Sequence, residues 1–542
     1  MKAIHTLASA ALLVIAATAC NKDLTVENLS NPDVARVFAT GASIEATIAA
    51  AYQTVHNGTT NQALWPETLM HSLEQYSSLN NFNMGVRVAI PRAPIVNSNG
   101  APTVFTEFSA LSRESRLSVE ALDALDKYIK AGNTLGTHAQ DLRARSFGFF
   151  GAAASLGWLA IIYDSAGIVS TGMPSDSIPP LSAAADVMKA ALTLFDSAYA
   201  IAIDPAASTT GGFPLPTSWL STSAAVSADQ YARLIRSYRA RFRAGVARTP
   251  AQRAAVDWQK VIDDTEGGIQ ADYLANVGGS TGWNIGDISQ IYVDPGWGQM
   301  SMMYMGMADV SGAYANFIAT PIATRSGYFL VMTPDKRWPA GATRAAQQAA
   351  STQPTSLTSK PYISNRTVAD IPGDGWGVSF YDFFRFKYIR NASNIGLYPD
   401  FLKAENDLLA AEAYLRTGNI AAAAAKIDIT RVGNGGLPAL SGTVTSATQV
   451  VPGGASCVPQ VPNGATVSCG TLLEALKYEK RMETALSSFG RWWIDSRGWG
   501  DLITNTVLEY PVPYQEMQAR QKVSYNLGGG SASSAAKGTY GF

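Results

Sequence analysis

Apolar residues recur every three or four positions over most of this chain, a spacing that lines one face of an α-helix and does not fit an alternating strand. From Arg113 to Asp164 the series Leu117, Ala121, Leu125 and Tyr128, then Leu142, Phe147, Phe150 and Ala154, predicts two helices. Residues 183–203 repeat the spacing through Val187, Ala191, Leu194, Phe195 and Ala198, and residues 228–247 through Tyr231, Leu234, Ile235, Tyr238 and Phe242. Residues 251–266, around Val256, Trp258, Val261 and Ile262, supply a partner, and a first amphipathic helix is expected over 33–57. The pattern returns from Phe401 to Arg431 and from Leu472 to about Asp495. The expected fold class is therefore all-α, assembled from helical hairpins.

Three stretches interrupt it. Residues 58–112 hold Pro66, Pro91, Pro94 and Pro102 with Asn80, Asn81 and Asn83, which reads as a loop. Residues 267–400 are rich in Gly, Pro and aromatic residues and include the low-complexity run Thr343–Lys360, so a large irregular insertion is expected there. A Gly/Pro/Thr/Val-rich segment, Gly433–Gly470, divides the last helices, and the Gly/Ser run Gly528–Ser534 reads as a flexible tail.

The amino terminus indicates where the chain works. Lys2 and His5 precede an apolar run from Leu7 to Thr18, and Ala17-Thr18-Ala19 leads into Cys20. This run is shorter than the ~20 apolar residues a bilayer span needs, and small residues before a cysteine suit a signal peptidase. Residues 1–19 are therefore read as a lipoprotein signal peptide and Cys20 as the lipid attachment point, an ordinary secretory signal being the alternative. Cys457 and Cys469 remain, in a Gly/Pro/Val-rich stretch with no histidine nearby, and a loop-closing disulfide fits them better than a metal site. Closing so short a loop contributes about 3 kcal/mol in the chain-entropy estimate and requires an oxidising compartment.

Charge is nearly balanced, 41 basic against 42 acidic residues, which argues against a nucleic-acid partner. At 15% charged residues, with abundant Ser, Thr, Asn and Gly, the surface should be neutral and suited to hydroxylated ligands. His56, His71 and His138 belong to no metal-binding spacing, and no phosphate-binding loop is present. The Gly373–Gly377 run lacks the lysine and helix of a phosphate cradle and reads as a turn. Paired carboxylates for glycoside hydrolysis are a matter of spatial separation and stay open at this point.

Residues 411–430, with Ala411, Tyr414, Gly418, Ala423 and Ile427, resemble a tetratricopeptide repeat. Glu479-Lys480-Arg481-Met482-Glu483, continuing into Gly490-Arg491-Trp492-Trp493-Ile494-Asp495 and Arg497-Gly498-Trp499-Gly500, is more specific. With Cys20, the segments Arg143–Phe147 and Leu159–Asp164, and the hairpin Ala411–Arg431, it resembles the SusD/RagB family of nutrient-binding outer-membrane lipoproteins. Lys480 stands where that family's Glu-Arg-Arg-Glu pattern has arginine. The resemblance implies a single domain over 20–542, a tetratricopeptide-like superhelix (about 33–266 and 401–500) with the insertion at about 267–400 and the disulfide loop at about 433–470. It also implies oligosaccharide capture for a SusC-like TonB-dependent transporter at the cell surface, with no catalysis and no cofactor. Glu479, Arg481, Glu483, Arg491, Asp495 and Arg497 are then structural ion pairs. Two other readings are a periplasmic repeat scaffold that binds a protein and a secreted glycan-degrading enzyme.

Flat rings beside amides suit sugars, since pyranose faces stack on the rings while hydroxyls meet donors and acceptors. Trp283, Tyr292, Trp297 and Trp376 fall in the insertion, and Trp65, Tyr76 and Phe82 fall near the asparagines of the first loop. By analogy with the family's ligand-bearing regions, Trp65, Tyr76 and Asn81 are expected to meet Trp283, Tyr292 and Trp297 at one ligand patch. The competing reading of any one ring is an anchor that fixes its loop to the core.

Overall fold

Eleven helices of eight residues or more are found among the described residues, and all but one lie largely in the stretches where helical periodicity is expected. They are α1 (Gly41–Thr59), α2 (Leu64–His71), α3 (Thr103–Lys130), α4 (His138–Ile162), α5 (Ala184–Ala202), α6 (Ala228–Gly245), α7 (Trp258–Glu266), α8 (Lys403–Arg416), α9 (Ile420–Arg431), α10 (Leu472–Thr484) and α11 (Arg491–Trp499). The computed structural model describes residues 37–60, 63–90, 92–100, 103–285, 296–321, 324–325, 329–367 and 379–527. The expected signal peptide with Cys20, Tyr292, Trp376, the Gly373–Gly377 turn and the Gly528–Ser534 tail lie outside them.

Side chains set where the helices begin. Thr40 and Ser43 form a capping box on α1, Ser227 and Gln230 another on α6, and Thr137 accepts from the Gln140 N–H at the start of α4. Each such cap contributes about 1 kcal/mol. Successive helices then pack side by side, α3 and α4 against α1, α5 and α6 against α4, and α7 through α10 in turn. Helix α4 is apolar on every face because protein surrounds it; it is long and apolar enough to cross a membrane, yet almost wholly buried. Glycines let its neighbours approach. A Cβ on Gly151 would lie 2.6 Å from the Ala51 methyl and 2.9 Å from Ser118 Oγ, and one on Gly157 2.6 Å from the Phe242 ring.

Strands occur only as two-stranded ladders among the described residues, and the ladders organise the insertion. β4 (Tyr273–Val277) pairs antiparallel with β8 (Gly396–Phe401), so the two ends of the insertion are joined at its base. β1 (Gln75–Tyr76) pairs with β5 (Gln299–Met300), tying the first loop to the insertion. Three hairpin-like ladders complete the set: β2 (Ser165–Gly167) with β3 (Leu181–Ala183), β6 (Ile363–Asn365) with β7 (Tyr381–Phe383), and β9 (Gln460–Asn463) with β10 (Thr466–Cys469). Cys457 and Cys469 are joined by a disulfide across this last loop.

The carboxylates and arginines of the last helices are consumed in the interior. Arg337, from the insertion, meets Asp335 Oδ2 at 2.7 Å, Glu479 Oε2 at 2.7 Å and Glu483 Oε1 at 3.0 Å, all four side chains being fully buried. Glu405 lies between Arg241 (2.7 Å) and Arg491 (2.9 Å), Asp495 meets Lys480 at 2.8 Å, and Asp501 takes Lys477 at 2.9 Å and Arg481 at 2.7 Å. Arg497 donates instead to carbonyls, those of Ile161 at 2.9 Å, Gly245 at 2.8 Å and Leu508 at 2.6 Å. Ile161 and Gly245 end α4 and α6, so one buried cation satisfies orphaned carbonyls at the negative ends of two helix dipoles.

Four local expectations are corrected. Residues 58–112 are not one loop: they contain α2, a short helix Met84–Val88 and the start of α3. Helix α2 is buried throughout and so shows no polar face, and Pro66 stands in its first turn, where the missing N–H costs little. Residues 251–266 divide into Pro250–Ala254 and α7 because Asp257 caps a new helix, its side chain accepting from the Lys260 N–H. Residues 472–495 divide into α10 and α11, with Leu486 and Gly490 in the left-handed region between them. The Thr343–Lys360 run holds a helix, Arg344–Ala350, started by the Thr343 cap.

Three buried glutamates make stability depend on pH. Burial pushes Glu74, Glu107 and Glu114 up from 4.5 to about 8 each, against hydrogen bonds from the Leu486 N–H, the Leu64 N–H and Ser118 Oγ. Held as neutral acids in the fold but ionised in the unfolded chain, they stabilise fully below about pH 4.5 and lose that contribution as pH rises through about 8. The urea midpoint should therefore fall between about pH 5 and pH 8, with a shallower fall in Glu107→Gln, which keeps the acceptor for Leu64.

Candidate functional site

The first loop and the insertion meet along the β1–β5 ladder, and a shelf of two rings lies at its end. Ser77, just after β1, donates its hydroxyl to the Trp297 carbonyl at 2.7 Å. The Phe82 and Trp297 rings lie 6.0 Å apart, tilted by 35°, each half-buried against the core. Ser78, Asn80 and Asn81 are exposed beside them. Among the described residues, Ser78, Asn80 and Asn81 offer hydroxyl and amide groups at this edge.

The segment that carries Phe82 is locked from behind. Phe82 and Asn83 have φ values of +52° and +60°, the left-handed region that β-carbons disfavour. Such backbone costs on the order of 1–3 kcal/mol per residue and persists only where surroundings impose it. Here Asn83 Nδ2 donates to Glu67 Oε1 at 2.6 Å, and Arg87 Nε to Glu67 Oε2 at 2.9 Å, with Glu67 fully buried in α2. The Gly85 N–H closes the turn on the Leu79 carbonyl at 2.7 Å, and a Cβ on Gly85 would lie 2.8 Å from the Ser78 carbonyl oxygen. In this conformation the Phe82 ring lies 6.0 Å from that of Trp297.

A second assembly fixes the insertion beneath this level. The β4–β8 register skips one residue between Phe401 and Pro399, so Asp400 sits in a bulge that aims its side chain inward. Its Oδ2 accepts from Tyr238 Oη at 2.6 Å and from Tyr52 Oη, and its Oδ1 meets His56 Nδ1 at 2.9 Å. His56 Nε2 reaches the Asn284 carbonyl at 2.8 Å. Both partners of the ring are acceptors, so both contacts are met together only with a proton on each nitrogen. Burial alone would raise Asp400, but the hydrogen bond and charge of His56 hold it below the usual carboxylate range.

Of the expected patch, Asn81 and Trp297 come together here. Trp65, Tyr76 and Trp283 do not present surfaces to a ligand. Trp65 is 1% exposed within α2, its ring 6.5 Å from Phe489. Tyr76 is 1% exposed in β1. Trp283 is 4% exposed, 5.0 Å from the His56 ring and 6.1 Å from Tyr52. Large rings gain most by leaving water, and these three anchor their segments to the core. Tyr292 lies outside the described residues. Phe82 takes the place expected for Tyr76; its sequence signal is an aromatic ring enclosed by asparagines. The three histidines lie apart: His56 is in the Asp400 cluster, His138 is exposed, and His71 is a neutral core residue lowered first by burial and then by Arg87 and Arg92.

Glu67→Gln can keep an acceptor for Asn83 but not the charge that meets Arg87, leaving Arg87 buried without its counter-charge at a cost of about 3–5 kcal/mol. Thermal denaturation is expected to report that loss, and amide exchange to rise first over residues 79–88.

No protein-family model matches this sequence, and no curated protein matches it. Solved structures do match. A SusD superfamily protein from Bacteroides vulgatus superposes with a TM-score of 0.53 at 13% identity, over 85% of this chain and 89% of that one. A SusD/RagB family protein from Bacteroides thetaiotaomicron gives 0.50 at 13% identity, over 88% and 94%. At such identity the likeness is one of fold, and it spans nearly the whole of each chain. The chain thus has a fold similar to that of solved SusD superfamily proteins.

Proposed function

We propose that the protein captures a neutral oligosaccharide on the Phe82–Trp297 shelf and passes it to a TonB-dependent transporter, while anchored by Cys20 to the outer face of an outer membrane. The observation that carries this is the pairing of two partly buried rings from separate segments beside the exposed Ser78, Asn80 and Asn81. A pyranose can stack its C–H face on the rings and exchange hydroxyl hydrogen bonds with those polar side chains. The SusD superfamily fold and the Met1–Cys20 segment support the nutrient-capture setting. No reaction is assigned, since the carboxylates of the last helices are held in ion pairs.

Affinity electrophoresis against a panel of neutral glycans should retard the protein in at least one gel. Trp297→Ala should weaken that retardation by at least about tenfold, equivalent to ~1.4 kcal/mol, and Phe82→Ala should act in the same direction. Unchanged retardation in both variants, or none by any glycan, would overturn the assignment. Recovery of a large barrel protein in near-equal amount from gently solubilised membranes tests the delivery step.

A further inference from the structure

A cleft of about 630 Å³ opens between α5, α6 and α7, and it shares no lining residue with the ring shelf. Arg236, Arg239 and Arg243 project into it from α6, three and four residues apart and so on one helix face. All three converge on Asp264 of α7, which is 1% exposed. Arg239 Nη2 lies 2.7 Å from it, Arg243 Nη2 3.5 Å and Arg236 Nε 4.0 Å. One carboxylate cannot neutralise three guanidinium groups. Arg239 has a second partner in Asp196 at 3.2 Å, an exposed side chain of α5, and Arg236 leans on the Asp263 carbonyl. Lys189 adds a charge with no ion-pair partner among the described residues, and Lys260 is paired only with the exposed Asp257, at 3.0 Å. Five basic side chains thus line the cleft against Asp196, Asp263 and Asp264, in a chain whose net charge is −1.

The arginines are also preorganised. Arg236 and Arg239 lie over the Tyr199 ring at 5.9 and 5.4 Å, and Asp264 fixes the heads from beneath. A guanidinium held in place loses little freedom when it takes a second, bidentate partner, and a half-buried site screens that interaction less than open water does. Met188, Leu192 and Val246 supply an apolar wall alongside. We propose that this cleft binds the carboxylate or sulfate group of an acidic saccharide, with Arg243 and Lys260 as the leading anion contacts and the Met188–Leu192 wall against the sugar ring. It is a second site, independent of the neutral shelf.

The test is calorimetric titration of the full chain with a uronate-containing disaccharide, its neutral counterpart and sodium sulfate. In the Trp297→Ala chain, where the shelf is disabled, the uronate should bind and the neutral sugar should not, with affinity falling several-fold between about 50 mM and about 500 mM salt. The double variant Arg243→Gln with Lys260→Gln should weaken binding by about tenfold or more. Asp196→Asn, which frees Arg239 of an exposed competitor, should tighten it. Trp297→Ala should leave it unchanged, which separates this site from the shelf. Equal binding of both sugars by the Trp297→Ala chain, no binding of the uronate, or no response to the double variant and to Asp196→Asn would overturn the proposal. Sulfate bound with the uronate unbound would reduce the cleft to a simple anion site and overturn the saccharide assignment.

Discussion

The Asp400 carboxylate is the point on which the arrangement of the chain depends. It is buried, it sits in the bulge of the β4–β8 ladder, and it joins Tyr52 and His56 of α1 to Tyr238 of α6. Through His56 it also holds the Asn284 carbonyl, so both ends of the insertion and two helices of the frame converge on one charge. Removing a carboxylate from water costs several kcal/mol, and only a full set of donors offsets that cost. The bulge makes the set possible, because a regular ladder would turn residue 400 to the other face.

Buried charge continues this logic away from the hub. Arg337 carries the middle of the insertion onto Glu479 and Glu483 of α10, and Glu405 is pulled down to about 2 by Arg241 and Arg491 despite the opposing effect of burial. Each such pair fixes a unique docking of one segment on another, which an apolar contact of similar area would specify less strictly. The result is a rigid frame that presents loops, and binding residues sit preferentially on loops so supported. The strained backbone at Phe82 fits this arrangement. Glu67, Asn83 and Arg87 hold a conformation that costs free energy locally but places one ring beside another.

Much of the frame was legible because its helices have one wet and one dry face. The series through Leu117 to Tyr128 and through Tyr231 to Phe242 became α3 and α6 with only shifts at their ends. Helix α2 was not legible, since it is only eight residues long, is buried on all sides, and carries Pro66 in a stretch whose prolines and asparagines read as turns. The meeting of the first loop with the insertion was anticipated, and so was Trp297, but the other described rings of the expected patch are buried. Trp65, Tyr76 and Trp283 have the composition of a sugar platform, and nothing local to them shows that other segments cover them. Phe82 and Trp297 keep part of their surface in water for the same non-local reason. The arginine spacing on α6 is visible in the sequence, whereas its convergence on Asp264 is a property of the packing of α7.

The most direct test of the shelf as the ligand-binding surface is amide hydrogen exchange on the full chain with and without a bound neutral oligosaccharide. Protection confined to residues 77–84 and 296–300, with α4 and the 343–360 run unchanged, is the expected result. Protection that leaves both shelf segments untouched and appears elsewhere on the surface would contradict it.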